Sequence, residues 1–183
     1  MAPEEFKKAW EQDGDNLCIF PSEAVEGLDI SESQRIFLTN IGLPESAAPF
    51  LDFGGKHYLP IPSVADVWKG GTTFECYRAI GCNGFGDTVC IDENSGGAVV
   101  YLNHDDNMKR QFINSSVECL AFSLLAFRTI VRDAQARGGP DAHLNGQIPN
   151  DVADQFIRRM DEVDPDAIKP ETFWFRSVMN EGI

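Results

Sequence analysis

The pattern of apolar and polar positions predicts two β-strands near the middle of the chain. Residues 87–92 and 98–103 are rich in Val, Ile, Cys, Thr and Tyr, the residue types that favour strands. Between them, Asn94-Ser95-Gly96-Gly97 supplies residues that tolerate positive φ. The pattern therefore predicts a hairpin, and the other segments can be placed around it.

A periodicity of three and four residues predicts a long helix soon after the hairpin. Ser115-x-x-Glu118 fits a capping box, and Gly138-Gly139-Pro140 supplies a stop signal. The apolar positions between them form a stripe broad enough to lie on a sheet: Val117, Leu120, Ala121, Leu124, Phe127 and Val131.

Shorter helices are predicted on both sides of this unit. Ser31-x-x-Gln34 is a second capping box, and Gly42 is placed as a left-handed C-cap, so a helix is expected over 32–41. Further helices are expected at residues 3–12, from an Asn150 cap to about Asp164, and from about Pro170 onward.

The remaining extended segments complete the predicted sheet. Residues 72–80 alternate well enough for a strand, and 49–53 and 56–59 suit short edge strands. Consecutive strands with short links form an antiparallel meander. We therefore expect an α+β fold, with a mostly antiparallel β-sheet (a meander with a central hairpin) packed by flanking α-helices.

Length and composition favour one domain over residues 1–183, since a 20.3 kDa chain has room for one good core. The first ten residues, MAPEEFKKAW, lack the basic segment and apolar core of an export signal, so we expect a soluble, cytoplasmic protein. The five cysteines show no CxxC spacing and are expected to act mostly as small buried apolar residues.

Net charge is the main departure from ordinary composition. The 29 Asp and Glu residues outnumber the 15 Lys and Arg residues, which gives a net charge of -14. Such a surface repels nucleic acid and attracts basic proteins. Solubility alone would also explain it.

Catalytic and metal-binding motifs have little support. His104-Asp105-Asp106 could begin a metal or phosphohydrolase site, but His57 and His143 lie in loops without a matching carboxylate pair. A solvated turn after a strand explains the run better. Neither a nucleophile elbow nor a phosphate-binding glycine loop is present, so we expect no enzyme activity, cofactor or metal.

Two glycine-containing segments are explained as turns. Asp92-x-Asn94-x-x-Gly97 resembles the start of a calcium loop but lacks the later ligands, and residues 81–86 precede a strand rather than a helix. Lys109-Arg110 is the only adjacent basic pair near the hairpin, so direct nucleic-acid binding is not expected.

An ordered series of short motifs spans about residues 10–178. The motifs are Phe37-Leu38-x-x-Ile41-Gly42-Leu43-Pro44, Phe50-Leu51-x-Phe53, Ile80-Gly81, Gly86-Asp87, Ile91-Asp92, Gly97-x-Val99, Phe112-Ile113-Asn114-Ser115-Ser116, Asp164-Pro165-x-Ala167 and Phe173-Trp174. In this order they resemble the fourth family of the SUKH superfamily of bacterial immunity proteins.

The resemblance implies a SUKH-like α+β immunity domain without catalytic residues. It further implies that the chain binds and neutralises a cognate polymorphic toxin, frequently a nuclease or a nucleic-acid deaminase. Two alternatives remain: a regulatory or scaffold protein of the same fold that binds an endogenous partner, and a small hydrolase that uses His104 and Asp105.

The candidate toxin-binding residues are acids near the hairpin ends, with two aromatic anchors. A carboxylate-rich surface can occupy a basic cleft that normally holds phosphates, and aromatic residues often dominate interface energetics. Tyr77 is equally explained as core, and the acids as solvated turns. The candidates are Trp68, Tyr77, Asp87, Asp92, Glu93, Asp105 and Asp106.

Overall fold

A six-stranded antiparallel sheet organises the fold, and its strands follow one another in chain order. The computed structural model describes residues 1–55, 58–68 and 72–179. The strands of the sheet are β3 (Ser46–Ala47), β4 (Leu51–Phe53), β5 (Tyr77–Asn83), β6 (Thr88–Asp92), β7 (Ala98–Asn103) and β8 (Lys109–Asn114). The predicted meander and its central hairpin, β6–β7, are thus confirmed. A separate pair, β1 (Leu17–Cys18) and β2 (Leu43–Pro44), forms a small second sheet.

The strand predicted over 72–80 begins later than expected. Residues Thr72–Phe74 form a 3₁₀ turn, and β5 starts at Tyr77 and continues to Asn83. Its register shifts between Ala79 and Gly81, as at a β-bulge. A Cβ atom on Gly81 would lie 2.1 Å from the backbone oxygen of Asp52, so β4 can pair here only with a glycine. Of the extended segment expected over 56–59, residues 56–57 lie outside the described part of the chain.

The long helix α5 covers one face of the sheet, as its apolar stripe predicted. The core on this face joins Ile91, Val99 and Ile113 of the strands to Leu120 and Leu124 of α5. The helices are α1 (Pro3–Glu11), α2 (Ser22–Val25), α3 (Glu32–Asn40), α4 (Val64–Trp68), α5 (Val117–Gly138), α6 (Asn150–Val163) and α7 (Phe173–Met179). The predicted α+β architecture, with helices flanking an antiparallel sheet, is therefore confirmed.

The other face of the sheet carries a smaller apolar cluster. Ala79, Cys90, Val100 and Leu102 project from the strands and pack with Val64 of α4. Tyr58, Phe74, Tyr77 and Met108 lie around this cluster and are only partly buried. Cys90 is the buried cysteine, whereas the other four are half-buried, and all five are free thiols.

Helix caps show where local sequence signals hold and where they do not. Ser31 Oγ accepts from the Gln34 amide at 3.3 Å, as predicted for α3, but the Gln34 side chain donates to the Gly96 carbonyl instead of closing the box. The predicted Ser115 cap of α5 is wrong. The N-cap is Ser116, whose Oγ accepts from the Cys119 amide at 3.1 Å. Similarly, α6 begins at Asn150 with Pro149 as N-cap.

Because Ser116 caps α5, the polar groups of Ser115 can bind a different partner. The Ser115 amide and hydroxyl both donate to the buried Asp164 carboxylate, at 2.7 and 2.8 Å. Asp164 Oδ2 also accepts from Asn114 Nδ2 at 2.9 Å, and Asn114 Oδ1 accepts from Trp174 Nε1 at 2.8 Å. We call Asn114, Ser115, Asp164 and Trp174 the buried network. It ties the end of β8 to the segments that follow α6.

None of the described helices combines the length and the apolar character that crossing a bilayer requires.

Candidate functional site

Three turns come together at one end of the sheet, which we call the turn end. They are residues 48–50 between β3 and β4, 84–87 between β5 and β6, and 104–108 between β7 and β8. The register places them side by side, since Leu51 pairs with Asn83 and Thr88 pairs with both Cys82 and Leu102. The opposite, helix end carries the β6–β7 turn and the start of α5.

A buried carboxylate holds two of these turns together. Asp87 accepts hydrogen bonds from Asn83 Nδ2 at 2.9 Å and from the His104 amide at 2.9 Å. His104 Nδ1 lies 2.7 Å from the same carboxylate. Asn83 Oδ1 in turn accepts from the amides of Phe85 and Asp87. Asp87 therefore fixes the shape of the turn end.

His104 connects this arrangement to the aromatic candidate Trp68. The two rings stack with centroids 6.2 Å apart and planes 14° apart. Trp68 Nε1 donates to Thr88 Oγ1 at 2.8 Å, which fixes the other side of the indole. Trp68 nevertheless remains 46% exposed. A large aromatic side chain that is held in place yet open to solvent suits an interface anchor.

Asp105 and Asp106 supply exposed negative charge beside Trp68. Their amides donate to Asn103 Oδ1 at 2.9 and 3.1 Å, so the turn that carries them is ordered by a side chain. The Asp105 carboxylate is 86% exposed and lies 3.4 Å from His104 Nε2. Asp106 has one exposed lysine neighbour, Lys109, at 3.4 Å. Such exposed pairs bind weakly and leave the carboxylates available to a partner.

The remaining candidates lie toward the helix end. Asp92 is buried and accepts from Arg110 Nε and Ser95 Oγ, each at 2.8 Å. Glu93 accepts from Arg78 Nε at 2.7 Å and from the Asp29 amide at 2.8 Å.

Tyr77 is half-buried beside Phe74, with ring centroids 6.3 Å apart, and burial raises the pKa of its phenol. The structure therefore brings Trp68, Asp87, Asp105 and Asp106 together and keeps Asp92, Glu93 and Tyr77 apart from them.

Two exposed aromatic residues at the turn end were missed by the sequence argument. Phe50 is 55% exposed and Phe85 is 60% exposed, and both lie in turns. The signal at Phe85 was available, because Gly84-Phe85-Gly86 places a large apolar residue where a hairpin turn usually has a polar one. Phe50, Phe85 and Leu144 line one cavity.

The hydrolase hypothesis gains no further groups from the geometry. His104 faces Asp87 through one ring nitrogen and Asp105 through the other. Within residues 1–55, 58–68 and 72–179, no three His, Cys, Asp or Glu side chains are grouped so that they could hold a metal ion.

Comparison with known families decides the classification. A family model of the SUKH-4 immunity proteins matches residues 3–181. The chain belongs to the SUKH-4 immunity protein family. The predicted resemblance is thus confirmed over nearly the whole chain, and membership supports an immunity function. No curated protein and no solved structure shows significant similarity to this SUKH-4 chain.

Several of the motifs that suggested the family are now seen to be structural. Asn114, Ser115, Asp164 and Trp174 are the four members of the buried network. Gly42 has φ 83° as the C-cap glycine after α3, and a Cβ there would lie 2.2 Å from the Cys18 carbonyl oxygen. These family positions therefore maintain the fold.

Proposed function

We propose that this chain binds a cognate polymorphic toxin and neutralises it, with the turn end of the sheet as the contact surface. The observation that supports this choice of surface is the exposed Trp68 indole, fixed by His104 and Thr88 next to the exposed carboxylates of Asp105 and Asp106. Family membership supports the immunity role.

The charge of the chain supports a basic target. With a net charge of -14, the protein attracts a positively charged surface and accelerates its capture. Toxins that act on nucleic acid, such as nucleases and deaminases, need a basic cleft for phosphates. In this proposal Asp105 and Asp106 take the place of phosphate groups in such a cleft.

The buried candidates have supporting roles in this proposal. Asp87 positions His104, and through the ring stack it positions Trp68. Asp92 pairs with Arg110 at 2.8 Å, and Glu93 pairs with Arg78 at 2.7 Å. Tyr77 packs against the smaller apolar cluster, on the face of the sheet that carries Val64 of α4.

The test is co-purification with the C-terminal domain of the toxin encoded beside this gene, together with rescue of cells that express that toxin. Capture should weaken as salt rises from about 0.1 M to about 1 M, because the Debye length falls from about 10 Å to about 3 Å. Asp105→Asn/Asp106→Asn should slow association about tenfold at low salt.

A matched control removes the same charge elsewhere. Glu23 and Glu26 are exposed residues at α2, so Glu23→Gln/Glu26→Gln gives the same change in net charge away from the turn end. Equal losses in both double variants would show a general charge effect and no acidic contact surface. Absence of capture and of rescue by the native chain would favour the alternative, a regulatory protein with an endogenous partner.

A further inference from the structure

A cavity opens at the turn end beside the proposed contact surface. Its volume is about 410 Å³, within the range of about 300–1,000 Å³ typical of ligand pockets. Phe50, Phe85 and Leu144 form its exposed apolar rim, and each comes from a different connecting segment. Exposed apolar side chains that converge on one cavity mark an interaction site more strongly than scattered ones.

The floor of the cavity is rigid. Phe127 of α5 lines it and is buried, and its ring packs against Phe156 at 5.7 Å and Trp174 at 5.6 Å between centroids. A side chain that enters the cavity therefore meets a fixed aromatic surface. Pre-formed pockets of this kind cost little ordering free energy on binding.

Phe50 is exposed and has an unfavourable backbone conformation. Its φ is 67°, in the left-handed region that bulky residues rarely adopt. Its Cβ occupies space that only a glycine at position 84 leaves open, since a Cβ on Gly84 would approach it to 2.8 Å. Residues kept in such conformations concentrate at functional sites.

The polar lining of the cavity is positive within an acidic protein. Arg176 of α7 lines it, and the ion pairs found among the described residues do not include its guanidinium. The described part of the chain also provides no hydrogen-bond partner for the buried His143 Nδ1. Burial lowers the pKa of His143, so its ring is neutral near pH 7 and Arg176 carries the positive charge.

We propose that this pocket receives one large apolar side chain of the toxin, and that a carboxylate next to it on the toxin pairs with Arg176. This inference rests on the proposed function and adds a second kind of contact to it. Trp68, Asp105 and Asp106 would meet basic groups of the toxin, whereas the pocket would take an apolar and acidic segment outside the basic cleft. The apolar contact would hold the complex when salt screens the charges.

The first experiment measures affinity for the toxin domain encoded beside this gene, at about 0.1 M and about 1 M salt. Phe85→Ala and Phe50→Ala should each weaken binding about 30-fold at both salt concentrations, because apolar contacts are not screened. Arg176→Gln should weaken it about tenfold, mainly at low salt. Gly84→Ala should act like Phe50→Ala, since the added methyl group displaces the Phe50 side chain.

A matched control truncates an exposed apolar residue elsewhere. Ile36 of α3 is half-exposed and lies outside the cavity lining, so Ile36→Ala should leave the affinity unchanged. Thermal unfolding of each variant checks its fold. Phe85→Ala removes a mostly exposed side chain, so this variant keeps the test valid even where Phe50→Ala unfolds.

A second experiment identifies the occupant directly. A photo-crosslinking phenylalanine analogue at position 144, on the rim, should capture a toxin peptide with an aromatic or large aliphatic residue close to Asp or Glu. A crosslink only to a basic segment, or none in an intact complex, contradicts the proposal.

The outcomes also separate this inference from the function on which it rests. If the native chain binds and Phe50→Ala and Phe85→Ala bind equally well, the pocket is not part of the interface and the immunity proposal stands. If the native chain does not bind the toxin at either salt concentration, both proposals fall.

Discussion

The two ends of the sheet differ in which side chains they bury and which they expose. At the helix end, the Asp164 carboxylate is buried and satisfied by Asn114 and Ser115, and Asp92 is buried against Arg110. At the turn end, Trp68, Phe50 and Phe85 are exposed. Because buried, fully bonded groups stabilise a fold and exposed aromatic groups do not, the contrast supports the turn end as the proposed contact surface.

The largest expected effect is on stability, at the buried network. Asp164→Ala removes the acceptor of both Ser115 donors and one of the two acceptors of Asn114 Nδ2, which keeps its bond to Ser123 Oγ, and should lower the free energy of unfolding by about 3–4 kcal/mol. Urea unfolding measures this. Asp166→Asn, at an exposed neighbour, should change it by less than about 0.5 kcal/mol. A small loss in Asp164→Ala would remove the structural role assigned to the helix end.

A substitution of Asp87 tests the role of the buried carboxylate at the turn end. Asp87→Ala deprives Asn83 Nδ2 and both His104 donors of an acceptor and should cost about 2–3 kcal/mol of stability. Because His104 supports Trp68, toxin affinity should fall as well. Unfolding and binding measured on one preparation check both effects. A stability loss with native affinity would show that Trp68 does not depend on Asp87.

A substitution of Trp68 should affect toxin binding more than stability. Trp68→Ala is expected to weaken toxin binding about 30-fold, as at an interface hot spot, and to lower stability by only about 1 kcal/mol through the lost bond to Thr88. Titration calorimetry against the toxin domain, with urea unfolding in parallel, measures the two quantities. A large stability loss without a binding defect would place Trp68 among the structural residues.

The smallest expected effect is a pH dependence from His143. Burial lowers its pKa below the unfolded value, so the unfolded chain takes up the proton first as pH falls. The stability contribution of the neutral ring is complete above about pH 6.5, the ordinary histidine pKa, and is lost as pH falls through the folded pKa. Urea unfolding from pH 8 to pH 5 should show a shallower decline for His143→Gln. Identical slopes would contradict this.

Local signals in the sequence were enough to predict the sheet, but they did not predict the buried network. The β6–β7 hairpin, the Ser31 cap and the C-cap glycine Gly42 each depend on neighbouring residues, and all three were predicted. Ser115 looked like a helix cap because its true partner, Asp164, lies 49 positions away. Contacts at that separation leave no local pattern in one sequence.

The candidate site was only partly predicted, and one reason is geometric. Asp87 and Asp92 flank the same strand, β6, and a strand advances about 3.3 Å per residue, so the two acids lie about 16 Å apart at opposite ends. The exposure of each side chain could not be predicted from the sequence either, because it depends on how distant segments pack. Phe50 and Phe85 are exposed, whereas Asp87 is buried.

The outer strands of the sheet give the turn end a further importance. β3 has only two residues, and β8 begins with the exposed Lys109 and Arg110, features that discourage strand addition by another chain. In the proposed function, recognition then comes from side chains on turns rather than from backbone pairing. Turn residues tolerate exchange without loss of the fold. A lineage of such proteins could thus change its target by substituting a few turn residues while the scaffold stays constant.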